Sequence, residues 1–215
     1  SASKIALAHT ADDQAETVLL QLLRGAGLTG LSAIPISRPL GEATVVRPLL
    51  EIWRDELLAY VKQHRLAYRT DPTNADPAFV RNRIRRELLP MLERSYNPRI
   101  KAALNQVAEQ CRTDAGFLQA SAQRQWKRLV KRQNGRLAIR RDGLLKQPKA
   151  LQRQLIRLAI LQLQGDLTGF EFRHWLEIER LFHDRPAGTV VQLPGRVRFE
   201  RTREHVLVGC DSLRS

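Results

Sequence analysis

Nine consecutive residues, His9-Thr10-Ala11-Asp12-Asp13-Gln14-Ala15-Glu16-Thr17, place one imidazole and three carboxylates within a short stretch. An apolar run, Ile5-Ala6-Leu7-Ala8, precedes them, and a helix-like apolar run from Val18 to Leu23 follows. A strand thus delivers these groups to a helix entrance. Carboxylates clustered there can hold Mg2+ beside phosphates, and backbone N–H groups at the same end can bind the phosphates themselves. A plainer role fits the same residues. Thr10 with Asp13 three positions on resembles a helix cap, and acids in a first turn complement the helix dipole.

Three further stretches carry candidate chemistry. In Leu23-Arg24-Gly25-Ala26-Gly27-Leu28-Thr29-Gly30-Leu31 the missing side chains let backbone approach a phosphate or a base closely. Gly25 is also placed to end the preceding helix. In Arg81-Asn82-Arg83-Ile84-Arg85-Arg86 the arginines at 81 and 85 share a helical face, whereas Arg83 points elsewhere. Ion pairs with Glu87 or other nearby acids are the structural alternative to a site there. Arg124, Lys127, Arg128 and Lys131 follow at spacings of three and four, which puts all four on one face of a continuous helix, with Trp126 reading as core. His64, His174, His183 and His205 show no metal-ligand spacing.

The elements that must position these groups follow from periodicity. Residues 4–8 read as a buried strand and 12–24 as a helix, followed by a Gly-rich turn at 25–30. Val45-Val46 suggests a short strand ended by Pro48, and the apolar stripe at 53, 57, 58 and 61 a helix over Trp53–Lys62. Alternating strands and helices imply the later part of a parallel α/β sheet. Asp71-Pro72-Thr73-Asn74 reads as an ordered loop, and Asp76-Pro77 as the start of a helix bearing Ile84, Leu88, Met91 and Leu92, with Pro90 near its end. Asn97-Pro98 opens a long helical run to about Val130, broken at Asn134-Gly135. Leu137-Ala138-Ile139 suggests a strand, and helical stripes return at 151–163 and 170–182. Three β-prone runs at 189–193, 197–201 and 205–208 form a terminal meander. The expected architecture is an α/β nucleotide-type domain over 1–95, a connecting helix over 96–132, and a mainly helical domain with a C-terminal β-meander over 133–215.

Charge is distributed unevenly. The 215 residues carry a formal net charge of +14. Residues 1–80 hold 8 bases and 9 acids, whereas residues 121–160 hold 12 bases and a single acid, Asp142. Such concentration is the footprint of a phosphate-backbone partner. No run is long and apolar enough to predict a membrane span. Cys111 and Cys210 lie far apart and outside any C-x-x-C, which argues against a zinc ribbon, an iron–sulfur site or a disulfide scaffold and fits a reducing, cytoplasmic setting.

Taken in order, the His9–Thr17 segment, the Arg24–Leu31 turn, Arg47-Pro48-Leu49-Leu50, and Asp71–Asn74 leading to Arg81–Arg85 resemble the lysidine-forming branch of the PP-loop ATP pyrophosphatase family. The strong match covers about residues 4–95, and the remainder fits that branch's tRNA-binding region in general character. The resemblance implies a carbon–nitrogen ligase that forms AMP. Its substrates are ATP, with Mg2+, free L-lysine, and tRNA(Ile) with a CAU anticodon. Lysine is joined to C2 of the wobble cytidine through an adenylated intermediate. By the same resemblance Asp13, Glu16, His9 and Asp12 are catalytic candidates, with Asp13 the Mg2+ ligand. Arg24, Gly25 and Gly27 approach the cofactor. Arg81, Arg83, Arg85, Arg124, Lys127, Arg128 and Lys131 contact tRNA, and a homodimer is a candidate assembly.

Two departures from the family pattern stand out. No Ser-Gly-Gly-x-Asp-Ser loop is present, so the chain reads as an N-terminally truncated portion, expected to be inactive alone. His9-Thr10 also stands where many members carry two histidines. The competing expectations are a non-catalytic nucleic-acid-binding module and another PP-loop tRNA-modifying enzyme.

Overall fold

The computed structural model describes residues 3–68 and 79–210. It divides into two compact units, 1–115 and 116–215. The expected loop at Asp71–Asn74 and the helix start at Asp76-Pro77 lie outside the described residues.

The first unit holds a small mixed sheet in the order β1-β3-β2. β1 (Lys4–Ala6) runs parallel to β3 (Ala43–Val46), with Ile5 opposite Val45, and β2 (Ser37–Leu40) runs antiparallel to β3. The strand expected at residues 4–8 exists, but it is exposed rather than buried. Among the described residues it is an edge strand paired on one side only, and Ile5 stays 40% exposed. β2 is not among the expected strands, and Pro39 is an objection to a strand there. Its edge position removes the objection, since an edge strand tolerates a missing N–H.

Helix α1 (Ala11–Leu23) buries Ala15, Val18 and Leu19 in a core shared with Ile84, Leu89, Leu104 and Ala108. Gly25 (φ +70°) follows its C-cap residue Arg24 and donates its N–H to the Leu22 carbonyl at 2.9 Å, so it ends the helix as expected. Within the Gly-rich turn, Gly27 caps a one-turn helix, α2 (Leu28–Leu31). Helix α3 (Arg54–Gln63) matches the expected stripe. A further helical run consists of α4 (Val80–Arg83), a π-turn (Ile84–Leu88) and α5 (Leu89–Ser95). Pro90 lies near the start of α5, and the run is irregular just ahead of it, at the π-turn. There the Leu89 N–H reaches back five residues to Ile84. Helix α6 (Ile100–Leu129) contributes Leu104 and Ala108 to this unit.

In the second unit α6 gives way at once to β4 (Val130–Gln133). Asn134 (φ +48°) and Gly135 (φ +76°) turn the chain into β5 (Arg136–Arg140), since this tight hairpin needs left-handed backbone at both central positions. The helix therefore stops before Lys131, and the expectation of one helical face for all four bases is corrected. Arg124, Lys127 and Arg128 lie opposite the packed side of α6 formed by Ala122, Trp126 and Leu129, whereas Lys131 belongs to the sheet. Trp126 packs on the core as read.

After α7 (Arg141–Leu145), α8 (Lys149–Gln164) and α9 (Phe172–His183), the strands β6 (Val190–Gln192), β7 (Val197–Arg201) and β8 (His205–Cys210) form the expected meander. The meander does not stand alone, because β8 also pairs with β5. The result is one antiparallel sheet in the order β4-β5-β8-β7-β6. Leu155, Ile156 and Ile160 of α8 and Ile178, Leu181 and Phe182 of α9 bury one sheet face with Leu137, Ile139, Val197, Phe199, Val206 and Val208. Among the described residues no helix is long and apolar enough to cross a membrane.

Candidate active site

At the start of α1 the capping reading holds in full. Thr10 donates both its N–H and its hydroxyl to Asp13 Oδ2, at 2.8 and 2.9 Å, and the Asp13 N–H returns a bond to Thr10 Oγ1 at 3.4 Å. The cap uses only one oxygen of Asp13. The other, Oδ1, accepts from Nη2 of Arg81 at 2.9 Å and from Nη2 of Arg85 at 3.2 Å.

Glu16, one turn further along the helix, is 1% exposed and fully engaged. Its Oε1 accepts from Arg85 Nε at 2.5 Å, and its Oε2 accepts from Arg81 Nε and Arg85 Nη2, each at 3.0 Å. Two carboxylates on α1 thus meet two guanidiniums from α4 and the π-turn. The four-residue spacing of the arginines aims both at the same pair of acids. The hydrogen bonding that Arg85 donates to Glu16 is the main reason the Arg85 pKa is raised. Burial opposes it, and the charges of Glu16, Asp13 and Asp12 reinforce it. Arg83, two residues away, is exposed and lines a shallow apolar recess with Leu23, Val80, Ile84 and Met91.

His9 and Asp12 flank this cluster and engage other partners. His9 Nδ1 accepts from Nε of Arg47 at 3.3 Å, and Arg47, only 6% exposed, also donates from Nη1 to the Pro35 carbonyl at 2.7 Å. Burial lowers the His9 pKa, the Asp13 charge opposes that, and the Arg47 and Arg81 charges add to it. The imidazole is held neutral with its proton on Nε2, because an Nδ1 that accepts cannot also carry the proton. Asp12 turns the other way. Its Oδ2 accepts the Arg54 N–H that opens α3 (2.8 Å), and its Oδ1 pairs with Lys101 of α6 (3.3 Å).

Arg47 is the site residue that the sequence reading left without a role. Its signal was an arginine at the end of a strand, directly before Pro48. Arg24, Gly25 and Gly27 lie together at the far end of α1, where Arg24 and both glycines are exposed. Arg124, Lys127, Arg128 and Lys131 all belong to the second unit.

Asp13 and Glu16 are engaged by their arginine partners and the helix cap. Both Asp13 oxygens are taken, and among the described residues no three His, Cys, Asp or Glu side chains converge as metal ligands. What the cluster does offer is a fixed array of opposite charges beside a neutral imidazole donor.

A family model described as the PP-loop domain matches residues 1–92, which carry this array, and a second, described as the TilS substrate binding domain, matches residues 140–206. Residues 1–92 belong to the PP-loop family. Curated relatives match both regions in one alignment. A tRNA(Ile)-lysidine synthase of Geobacter sulfurreducens is 41% identical over 209 residues, which cover 95% of this chain and 43% of the relative. Proteins of the same name from Solibacter usitatus and Symbiobacterium thermophilum are 36% and 35% identical, covering 89% and 99% of this chain and 43% and 47% of the relatives. The chain therefore spans less than half the length of these three relatives.

Proposed function

We propose that this chain serves the ATP-dependent ligation of lysine to C2 of the wobble cytidine of tRNA(Ile). In that reaction the cytosine O2 attacks the α-phosphate of ATP and pyrophosphate leaves. The lysine amine then displaces AMP at C2. The observation that carries the reading is the array of Asp13 and Glu16 against Arg81 and Arg85 in the region matched by the PP-loop domain. Paired carboxylates draw an ammonium, and paired guanidiniums draw a carboxylate or a phosphate. On this reading Asp13 and Glu16 stand on the lysine side, and Asp12 fixes α1 to α3.

His9, held neutral by Arg47, acts as an Nε2–H donor toward an oxygen of the nucleotide. Such a group favours negative charge developing on that oxygen without itself changing charge. Arg24, Gly25 and Gly27 offer an exposed backbone approach for the nucleotide. Arg81, Arg83 and Arg85 hold tRNA or nucleotide phosphates near the site, and Arg124, Lys127, Arg128 and Lys131 bind tRNA phosphates in the second unit. The second unit's match to a substrate-binding domain supports that division.

The test is ATP-dependent incorporation of labelled lysine into a tRNA(Ile) transcript, by this chain and by the full-length product of its gene. Asp13→Ala and Glu16→Ala should each abolish incorporation; full activity in both variants overturns the role given to the array. One observation favours a second reading, a nucleic-acid-binding module without catalysis. All four carboxylate oxygens of Asp13 and Glu16 are already bonded, as a structural clamp would have them. Folded protein that binds tRNA but incorporates no lysine in any form supports this second reading.

A further inference from the structure

We propose that the uncovered face of the five-stranded sheet, centred on Lys131, Arg136 and Arg198, is a contact surface for the phosphate backbone of tRNA. The proposal rests on the tRNA reading above and assigns it a second surface, apart from the outer face of α6.

Strand alternation defines that surface. Leu137 and Ile139 of β5, Val197 and Phe199 of β7, and Val206 and Val208 of β8 enter the core, so their neighbours in sequence point the other way. Arg136, Ala138 and Arg140 of β5 share the outer face with Arg198 and Glu200 of β7 and with His205, Leu207 and Gly209 of β8. Lys131 pairs with Ala138 and stands on this face as well. The one-sided core leaves the face to solvent, and an antiparallel sheet with one wet face normally carries mixed polar groups there. Here Lys131, Arg136, Arg140 and Arg198 face a single carboxylate, Glu200.

The side chains are arranged for an anion of low profile. Arg136 and Arg198 both lean on Glu200, at 3.1 and 3.4 Å, so one carboxylate is shared by two guanidiniums. Arg198 Nε is buried and has no hydrogen-bond partner among the described residues. That atom is shielded, but the side chain as a whole is 33% exposed, which leaves guanidinium surface for a phosphate oxygen. Gly209 keeps the surface flat. A Cβ built there would lie 3.0 Å from Arg136 Cγ, so the arginine stem rests on the strand where a side chain would otherwise stand. Ala138, 3% exposed, likewise adds no bulk one strand away. A flat sheet face that carries Lys131, Arg136 and Arg198 complements a polyphosphate ridge. Interactions of this kind position a nucleic acid without reading its sequence.

The test measures binding of this chain to a tRNA(Ile) transcript across a salt series, comparing wild type with K131Q/R136Q/R198Q. Every phosphate that the protein no longer neutralises lowers the slope of log affinity against log salt by roughly 0.7–0.9, so the triple variant should show a slope smaller by roughly 2–3. Unchanged slope and affinity in a triple variant that melts like wild type overturn the proposal and leave the tRNA reading standing. If wild type itself fails to bind tRNA at low salt, both fall. A second measurement needs no variant. Amine-reactive labelling of Lys131 in wild type should drop when tRNA is bound, and labelling unaffected by saturating tRNA overturns the proposal even where the triple variant misfolds.

Discussion

Arg47 Nε donates to His9 Nδ1 at 3.3 Å, and this one bond fixes which nitrogen of the imidazole carries the proton. A half-buried histidine beside a buried guanidinium has two reasons to stay neutral. Its charged form loses hydration, and it sits next to a like charge. The Asp13 carboxylate pulls in the opposite direction without prevailing. Nitrogen-15 NMR of the ring should therefore show the Nε2–H tautomer at neutral pH. Arg47→Met removes a cationic neighbour and an Nδ1 donor, so the His9 pKa should rise and the tautomers should mix. A ring that is mainly Nδ1–H in wild type refutes the bond.

The same residue gives a pH dependence of stability. A histidine whose folded pKa lies below its ordinary value near 6.5 binds fewer protons folded than unfolded in the window between the two. Stability then rises with pH there. The His9 contribution is complete above about 6.5 and declines as pH falls toward the folded pKa. Denaturant unfolding from pH 7.5 down to 5 should show this decline, and His9→Asn should flatten that part of the curve. An equally steep curve in the variant would assign the dependence to other groups.

The clamp at Glu16 is expected to matter for stability independently of activity. Glu16→Ala leaves two guanidiniums facing a cavity with only Asp13 to balance them. Removing one partner of a buried pair costs about 3–5 kcal/mol, and the partial exposure of both arginines places this case near the lower end, about 3 kcal/mol. Arg83→Ala, on an exposed side chain of the same helical run, should stay within about 0.5 kcal/mol of wild type. Urea denaturation of both variants decides it, and equal effects would remove the distinction drawn between these arginines.

These contrasts show where the sequence was informative. Helices with a long apolar stripe (α1, α3, α6, α8 and α9) were legible because the period repeats enough times to be unmistakable. Four-residue spacing was also enough to pair Arg81 with Arg85 and to separate Arg83 from both. What escaped was either short or dependent on a distant partner. β2 has four residues, one of them proline, and exists because β3 pairs with it. β4 continued a helical charge pattern, so Lys131 was read onto the wrong element, although Asn134-Gly135 is a strong hairpin signal that implies a strand on both sides. The Arg47–His9 bond joins residues 38 apart and leaves no local pattern. The docking of β8 against β5, which converts a meander into a five-stranded sheet, is likewise fixed by a shared core and not by any turn.

That shared core also locates a point of low tolerance in the second unit. Gly143 of α7 is buried, and a Cβ built on it would lie 2.3 Å from Leu129 Cδ2, closer than two non-bonded carbon atoms can approach. Leu129 is 4% exposed in the main core, at the last turn of α6, immediately before β4. Gly143→Ala must therefore push Leu129 off its packing or shift α7 away from the sheet. Overpacking of this kind costs about 1–3 kcal/mol, which outweighs the helix propensity gained by replacing glycine. Leu129→Ala in the Gly143→Ala background opens the space that the added methyl needs. The double variant should therefore be more stable than the sum of the two single effects predicts, whereas strict additivity in thermal melts would mean that the two side chains do not meet.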